Sequence, residues 1–229
     1  METSHPQEFM ESILKNWLVL SIGTKGLGKT FLLLKFLRFC FANEIYDQYV
    51  LVLPMFKLEQ NKSYDFINPK QKNIYIFDNY NEVITSDLIK QQVKDVKSKK
   101  KVFFAIDDAS GENVFRIDYS LKHLITSIRH FNVALWMCVH SASGILSPFI
   151  RQQTDILFLS KIGNAKLLDD IYEEFLSLMD GYVGRDGHKE FVNQFMQLHK
   201  KQYQVIYMNI RTGSIDYNVS EWKFDNIDY

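Results

Sequence analysis

Gly23-Thr24-Lys25-Gly26-Leu27-Gly28-Lys29-Thr30 matches the pattern G-x-x-x-x-G-K-T at every defined position. The residues on either side fit the context such a loop needs. Trp17 to Ile22 is a short apolar run that reads as a buried parallel strand, and Lys29 to Phe41 reads as a helix. A strand, a glycine loop and a helix N-terminus in that order turn backbone N–H groups toward a polyphosphate, and the helix dipole adds to the attraction. In such a loop Lys29 reaches the β- and γ-phosphates, and Thr30 offers its hydroxyl to Mg2+. A chance glycine-rich turn would not carry both flanks.

The chain outward from this loop keeps alternating. Tyr49 to Leu53, stopped by Pro54, reads as a strand, and Asn73 to Phe77 as another. Glu82 to Val96 reads as a charged helix, and Val102 to Ile106 as a continuous apolar strand. Tyr119 to Ile128 places Leu121, Leu124, Ile125 and Ile128 on one helical face. Val133 to Val139 and Ile156 to Leu159 are further buried strands. Lys166 to Met179 and Lys189 to His199 are further helices, Gln204 to Ile210 is a late strand, and a hairpin is expected after Gly213. This alternation predicts an α/β fold with a mainly parallel sheet and helices on both faces. No repeat, low-complexity tract or Pro/Gly-rich linker divides the 229 residues. One domain spanning 1–229 is expected, with a core of about 17–210 and a C-terminal tail of 211–229.

Further residues carry possible chemistry. Asp107 ends an apolar strand, as a carboxylate that holds Mg2+ through water should. Asp108 follows where many ring-forming ATPases place a glutamate that polarises the attacking water; being shorter by a methylene, it either serves as that base or caps the next helix. His140-Ser141 ends the strand from Val133, and His140 is either a sensor of the γ-phosphate or a satisfied histidine at the core's edge. Arg129 precedes that strand, at the opposite edge of the sheet from its own nucleotide. A strand of that length spans roughly 20 Å, so Arg129 is suited to a neighbour's γ-phosphate in a ring, as an arginine finger, or to a helix C-terminus. Arg151, expected on the nucleotide side, would be a sensor in cis, a second finger in trans, or one half of a surface ion pair. Lys94, Lys97, Lys99, Lys100 and Lys101 form a basic run that fits either a DNA backbone or a solvated loop.

Lysine plus arginine balance aspartate plus glutamate at 27 each, so any nucleic-acid contact must come from a local patch. Cys40 and Cys138 form neither a metal spacing nor a disulfide framework, which points to a reducing compartment. Met1 to Ser12 has no basic start and no apolar core, unlike a secretory signal. Phe31 to Ala42, the most apolar stretch, is interrupted by Lys35 and Arg38 and is too short to span a membrane. A soluble intracellular enzyme without membrane contact is expected.

The pattern resembles the DNA-packaging ATPases of large double-stranded DNA viruses, of the poxvirus and giant-virus type, within the FtsK/HerA branch of RecA-like P-loop ATPases. The resemblance runs from Gly23 through Asp107-Asp108 and on through Ile128-Arg129-His130-Phe131-Asn132. It continues in Ser147-Pro148-Phe149-Ile150-Arg151-Gln152-Gln153-Thr154-Asp155 leading into Ile156-Leu157-Phe158-Leu159, and in Tyr203-Gln204-Val205-Ile206-Tyr207-Met208-Asn209-Ile210. It implies a homo-oligomeric ring, pentamer or hexamer, that hydrolyses ATP with Mg2+ to drive double-stranded DNA into a preformed capsid. It further implies capsid vertex proteins as partners, and the host-cell cytoplasm, virus assembly site or virion as location. His140 stands where such motors commonly carry glutamine or asparagine.

Other readings fit less of the chain. A cellular FtsK/HerA-type translocase would have the same engine. A small-molecule kinase lid normally supplies several arginines, whereas only Arg151 and Arg185 lie between His140 and Lys189. Asp108-Ala109-Ser110-Gly111 fits a GTPase D-x-x-G switch, but the guanine-reading N-K-x-D is missing. A non-catalytic ring component would be expected to have lost Lys29, Thr30 or Asp107, and all are intact.

Overall fold

The computed structural model describes residues 5–14, 16–54, 62–94, 100–108, 118–140, 146–177, 179, 181–201, 203–217, 219 and 222. Its strands are β1 (Leu18–Ile22), β2 (Gln48–Val52), β3 (Ile74–Phe77), β4 (Val102–Ile106), β5 (Val133–Val139), β6 (Ile156–Ser160), β7 (Val205–Asn209) and β8 (Ser214–Asp216). They form one sheet in the order β3-β2-β4-β5-β1-β6-β7-β8. All pairs from β3 to β6 are parallel, while β6–β7 and β7–β8 are antiparallel. The helices are α1 (His5–Leu14), α2 (Lys29–Ala42), α3 (Glu82–Lys94), α4 (Tyr119–Thr126), α5 (Pro148–Gln152), α6 (Ala165–Ile171) and α7 (Gly184–Leu198).

The central strands are buried at every position because helices cover both of their faces. Successive side chains enter opposite layers. Leu18, Leu20 and Ile22 of β1 join Leu135, Met137 and Val139 of β5 in a layer covered by α3, α4, α6 and α7. Val19 joins Trp136, Cys138 and Phe158 in the layer covered by α1 and α2. The second layer is strongly aromatic. The fully buried Phe9 ring of α1 lies 5.5 Å from Phe36, 5.9 Å from Trp136, 5.2 Å from Phe158 and 5.7 Å from Trp222. Cys40 and Cys138 are buried free thiols, and no described helix is long and apolar enough to cross a membrane.

The α/β fold class, with its mainly parallel sheet and two helical layers, is as expected; several local expectations are corrected. The core does not begin at residue 17, because α1 places Phe9, Met10 and Ile13 against the second layer. The helix expected over Lys166 to Met179 is α-helical only to Ile171 and then widens into a π-helical turn, Tyr172–Leu176. There the Tyr172 hydroxyl donates to the Tyr182 and Gly184 carbonyls, tying that turn to the start of α7. Helix α7 begins at Gly184 rather than Lys189. Gly187 permits a close approach: a Cβ there would come within 2.2 Å of the Tyr182 backbone. The hairpin turn ends at Gly213 instead of following it, so the expected tail contributes β8 as the partner of β7.

One buried carboxylate fastens three strands at the edge where β1 and β6 begin. Asp155 accepts from the Leu18 N–H at 2.8 Å through one oxygen and pairs with the Arg211 guanidinium through the other. It is 3% exposed, whereas the Arg211 side chain is 49% exposed. Replacing Asp155 leaves a buried N–H without its acceptor, while replacing Arg211 leaves the buried carboxylate without its counter-charge. Urea denaturation should show Asp155→Ala losing about 1–3 kcal/mol, and Arg211→Ala losing at least as much.

Candidate functional site

The loop after β1 is held by both neighbouring strands. The Gly23 N–H donates to the Val139 carbonyl at 3.3 Å, and the Thr24 N–H to the Lys161 carbonyl at 3.0 Å. Gly23 has no room for a side chain, since a Cβ would lie 2.6 Å from that of Ser160. Gly28 ends the loop at φ 101°, in the left-handed region, directly before α2. Glycine takes this conformation without the steric cost other residues meet. Lys29 is 5% exposed, and its ammonium donates to the Gly23 carbonyl at 2.6 Å and the Thr24 carbonyl at 3.0 Å. The lysine thus lies along the inside of the loop, where the backbone N–H groups of a phosphate cradle converge.

Strand β5 separates β1 from β4, and the three strands are parallel. Their C-terminal ends therefore share one edge, which brings together residues far apart in sequence. The Thr30 hydroxyl donates to Asp107 Oδ1 at 2.8 Å. His140, at the end of the intervening β5, lies between the two sides of the site. Its Nε2 is 2.7 Å from Asp108 Oδ1, and its Nδ1 is 3.3 Å from the Lys29 ammonium. Because Lys29 only donates and a carboxylate only accepts, the tautomer with the proton on Nε2 satisfies both contacts. Asp108 takes φ 60°, a left-handed conformation uncommon outside glycine, in the turn that places its carboxylate against His140. The next described helix, α4, is capped by Asp118, whose side chain accepts from the Leu121 N–H at 2.9 Å. Asp108 is therefore not the cap of α4.

Sequence reasoning missed Tyr64. It sits on a single 3-10 turn, Lys62–Tyr64, in the β2–β3 connection, and its hydroxyl points at Asp107 Oδ2 from 3.4 Å. Burial, reinforced by the Asp107 charge, pushes the Tyr64 hydroxyl well above the usual phenol range. Tyr64 is consequently a neutral donor, and both oxygens of Asp107 face hydroxyl groups. Nothing in the local sequence signals this role, because it depends on where the long connection returns to the cleft.

The loop from Lys25 to Thr30, together with Tyr64, Asp107, Asp108 and His140, lines a cleft of about 640 Å³ that extends toward Tyr203, Val205 and Val219. The two candidate arginines do not line it. Arg129 is exposed in the turn before β5, with the length of that strand between it and the cleft. Arg151 lies on α5, on the return toward the start of β6. Its guanidinium contacts Glu174 at 2.6 Å and donates to the Leu146 carbonyl at 3.0 Å. The Arg151 side chain is 13% exposed and that of Glu174 32%, an ion pair with one buried and one solvated partner. In the basic run, Lys101 lies over the Tyr46 ring at 5.1 Å, with its pKa lowered by burial. Lys94 and Lys100 are exposed, and Lys97 and Lys99 lie outside the described residues, as does Ser141.

No protein-family model and no curated protein sequence matches the chain. Solved structures do resemble it in fold. B204, the DNA-packaging ATPase from Sulfolobus turreted icosahedral virus, superposes with a TM-score of 0.66 at 16% identity, covering 88% of this chain and 96% of B204. The genome packaging NTPase B204 of Sulfolobus turreted icosahedral virus 2, in complex with ATP-gammaS, gives 0.64 at 15% identity with the same coverage. Thermomonospora curvata EccC (ATPases 2 and 3) gives 0.50 at 12% identity, covering 89% of this chain and 36% of EccC. At such identities the likeness is one of architecture, and it establishes that this chain has the RecA-like P-loop NTPase fold.

Proposed function

We propose that this chain is an ATP-hydrolysing motor that translocates double-stranded DNA and packages a viral genome into a preformed capsid. The observation that carries the reading is the meeting of Lys29, Thr30, Asp107, Asp108 and His140 at one edge of the sheet. The near end-to-end fold likeness to B204 supports a packaging motor among P-loop enzymes. A cellular FtsK/HerA-type translocase would share the engine and differ in its partners. In this reading residues 1–229 work as one ATPase domain, in a homo-oligomeric ring of five or six subunits, on duplex DNA at a capsid vertex. The host-cell cytoplasm, virus assembly site or virion would be its location.

The residues of Gly23 to Thr30 would hold the polyphosphate through backbone N–H groups, and Lys29 would turn from the Gly23 and Thr24 carbonyls to the β- and γ-phosphates. Mg2+ fits the donor set, because a hydroxyl and a carboxylate, both hard oxygen ligands, already converge at 2.8 Å in Thr30 and Asp107. When bound, it would supply neutralisation of the phosphate charge. Asp108 would accept a proton from the attacking water, and His140 would fix its carboxylate. Since His140 also contacts Lys29, movement of the lysine toward a γ-phosphate would be felt at Asp108.

Arg129 is the candidate for the trans role, because it is exposed and too far from its own cleft. Arg151 in its pair with Glu174 is committed to holding α5 against the π turn. A sensor or second-finger role would require that pair to open, at the cost of stranding a largely buried charge.

ATP turnover measured with and without linear duplex DNA, across protein concentration and salt, tests the motor. Turnover should rise with DNA, steepen with protein concentration and fall with salt, and Lys29→Ala should reduce it about 100-fold or more. Turnover indifferent to DNA and concentration would leave an ATPase and remove the motor. For the finger, Arg129→Ala should retain nucleotide binding but lose about 1,000-fold in turnover once assembled. Wild-type rates in that variant would end the trans assignment.

A further inference from the structure

The cleft has a second half that none of the phosphate-handling residues occupies. Phe31, Lys35, Tyr203, Gln204, Val205 and Val219 line it. The character changes there from backbone N–H groups and carboxylates to aromatic and aliphatic surface. Phe31 and Tyr203 are 67% and 58% exposed, large apolar side chains left uncovered at the rim.

Tyr203 stands two residues before the start of β7 with φ 60°, a left-handed conformation that is an outlier for a bulky residue. Such conformations persist where surrounding structure imposes them, and they concentrate at binding sites. Its backbone lies against the end of the phosphate loop, since a Cβ on Gly28 would be 3.8 Å from the Tyr203 Cα. His199, at the end of α7, contacts the Gln204 carbonyl at 3.2 Å and that of Phe195 at 2.9 Å, tying this short connection to the helix before it.

The opposite wall is also held in place. Lys35, in the middle of α2, donates to the Trp222 carbonyl. The Trp222 indole donates to Asp216 at 2.7 Å, and its ring lies 4.9 Å from that of Tyr207. Val219 is thereby fixed as a cleft wall between an anchored tryptophan and β8.

We propose that this half of the cleft is a nucleobase subsite, in which the base of a nucleoside triphosphate stacks on the Tyr203 ring over an apolar floor of Val205 and Val219. The inference rests on the ATP-binding reading above and adds what holds the other end of the nucleotide. The cleft volume of about 640 Å³ is in the range that encloses a ligand of nucleotide size. An aromatic face with an aliphatic floor matches the π-surface of a base, and a phosphate has no use for either. Stacking of this kind reads the presence of a base more than its identity. The subsite therefore separates nucleotides from bare polyphosphates, and it makes the base a bridge between the phosphate loop's helix and the C-terminal segment.

Calorimetric titration of the full chain with Mg-ATP and with Mg-tripolyphosphate tests this, using wild type, Tyr203→Ala and Tyr203→Phe. Wild type should prefer ATP. Tyr203→Ala should weaken ATP roughly tenfold with tripolyphosphate affinity unchanged, and Tyr203→Phe should restore ATP binding. Three results would overturn the subsite: ATP affinity unaffected in Tyr203→Ala, equal losses for both ligands, or a wild type that binds both equally. Wild type that binds neither ligand would instead remove the nucleotide reading itself, and the subsite with it.

Discussion

The site depends on a constraint of sheet order: β5 is inserted between β1 and β4, and all three run in the same direction. Two parallel strands that were direct neighbours would bring the phosphate loop and Asp107 about 5 Å apart, with no space for a third group. The inserted strand opens that spacing, and its own last residue fills it. His140 therefore meets the Lys29 ammonium on one side and the Asp108 carboxylate on the other. The N-terminus of α2, Asp107 and Asp108 are aligned by the same parallel register.

A site built on strand ends is as rigid as the layers behind it. The layer under the phosphate loop is the aromatic one, where Phe9, Phe36, Trp136 and Phe158 interlock beneath α2. Two segments remote from the loop in sequence complete this layer, α1 at one end of the chain and Trp222 at the other. Rings packed edge-to-face gain energy beyond their buried area, on the order of 1 kcal/mol per pair. The same packing seats the C-terminal wall of the cleft. Core stability and cleft shape are thus carried by shared side chains, and a loss in one is expected to be felt in the other.

The central parallel strands were legible in the sequence because each is a short continuous apolar run ended by a turn or polar residue; Val102–Ile106 and Val133–Val139 have the expected bounds. Asp107 was legible because it ends such a run. What escaped was whatever depends on contacts distant in sequence. Helix α1 has only Phe9, Met10 and Ile13 to mark it, and these become meaningful once the sheet supplies their partners. Tyr64 gains a role only where its connection returns beside Asp107. The first turn of α7 escaped as well: Gly187 there packs against the Tyr182 backbone, a contact that only the fold supplies. Arg151 illustrates the reverse error: a motif suggested placement on the nucleotide side, whereas Glu174, on a π turn the sequence did not indicate, holds it elsewhere.

The histidine at 140 also bears on the comparison with motors that carry an amide in that place. Glutamine and asparagine each present one acceptor and donor hydrogens on a short planar group. Imidazole does the same, with acceptor and donor on opposite sides of the ring. With the proton on Nε2 the acceptor faces Lys29 and the donor faces Asp108, so histidine offers the same pair of hydrogen-bonding functions that an amide would. It also suits the shorter acid. Asp108 is a methylene short of the glutamate common in ring ATPases, and its left-handed backbone turns the carboxylate back toward β5, where the ring meets it.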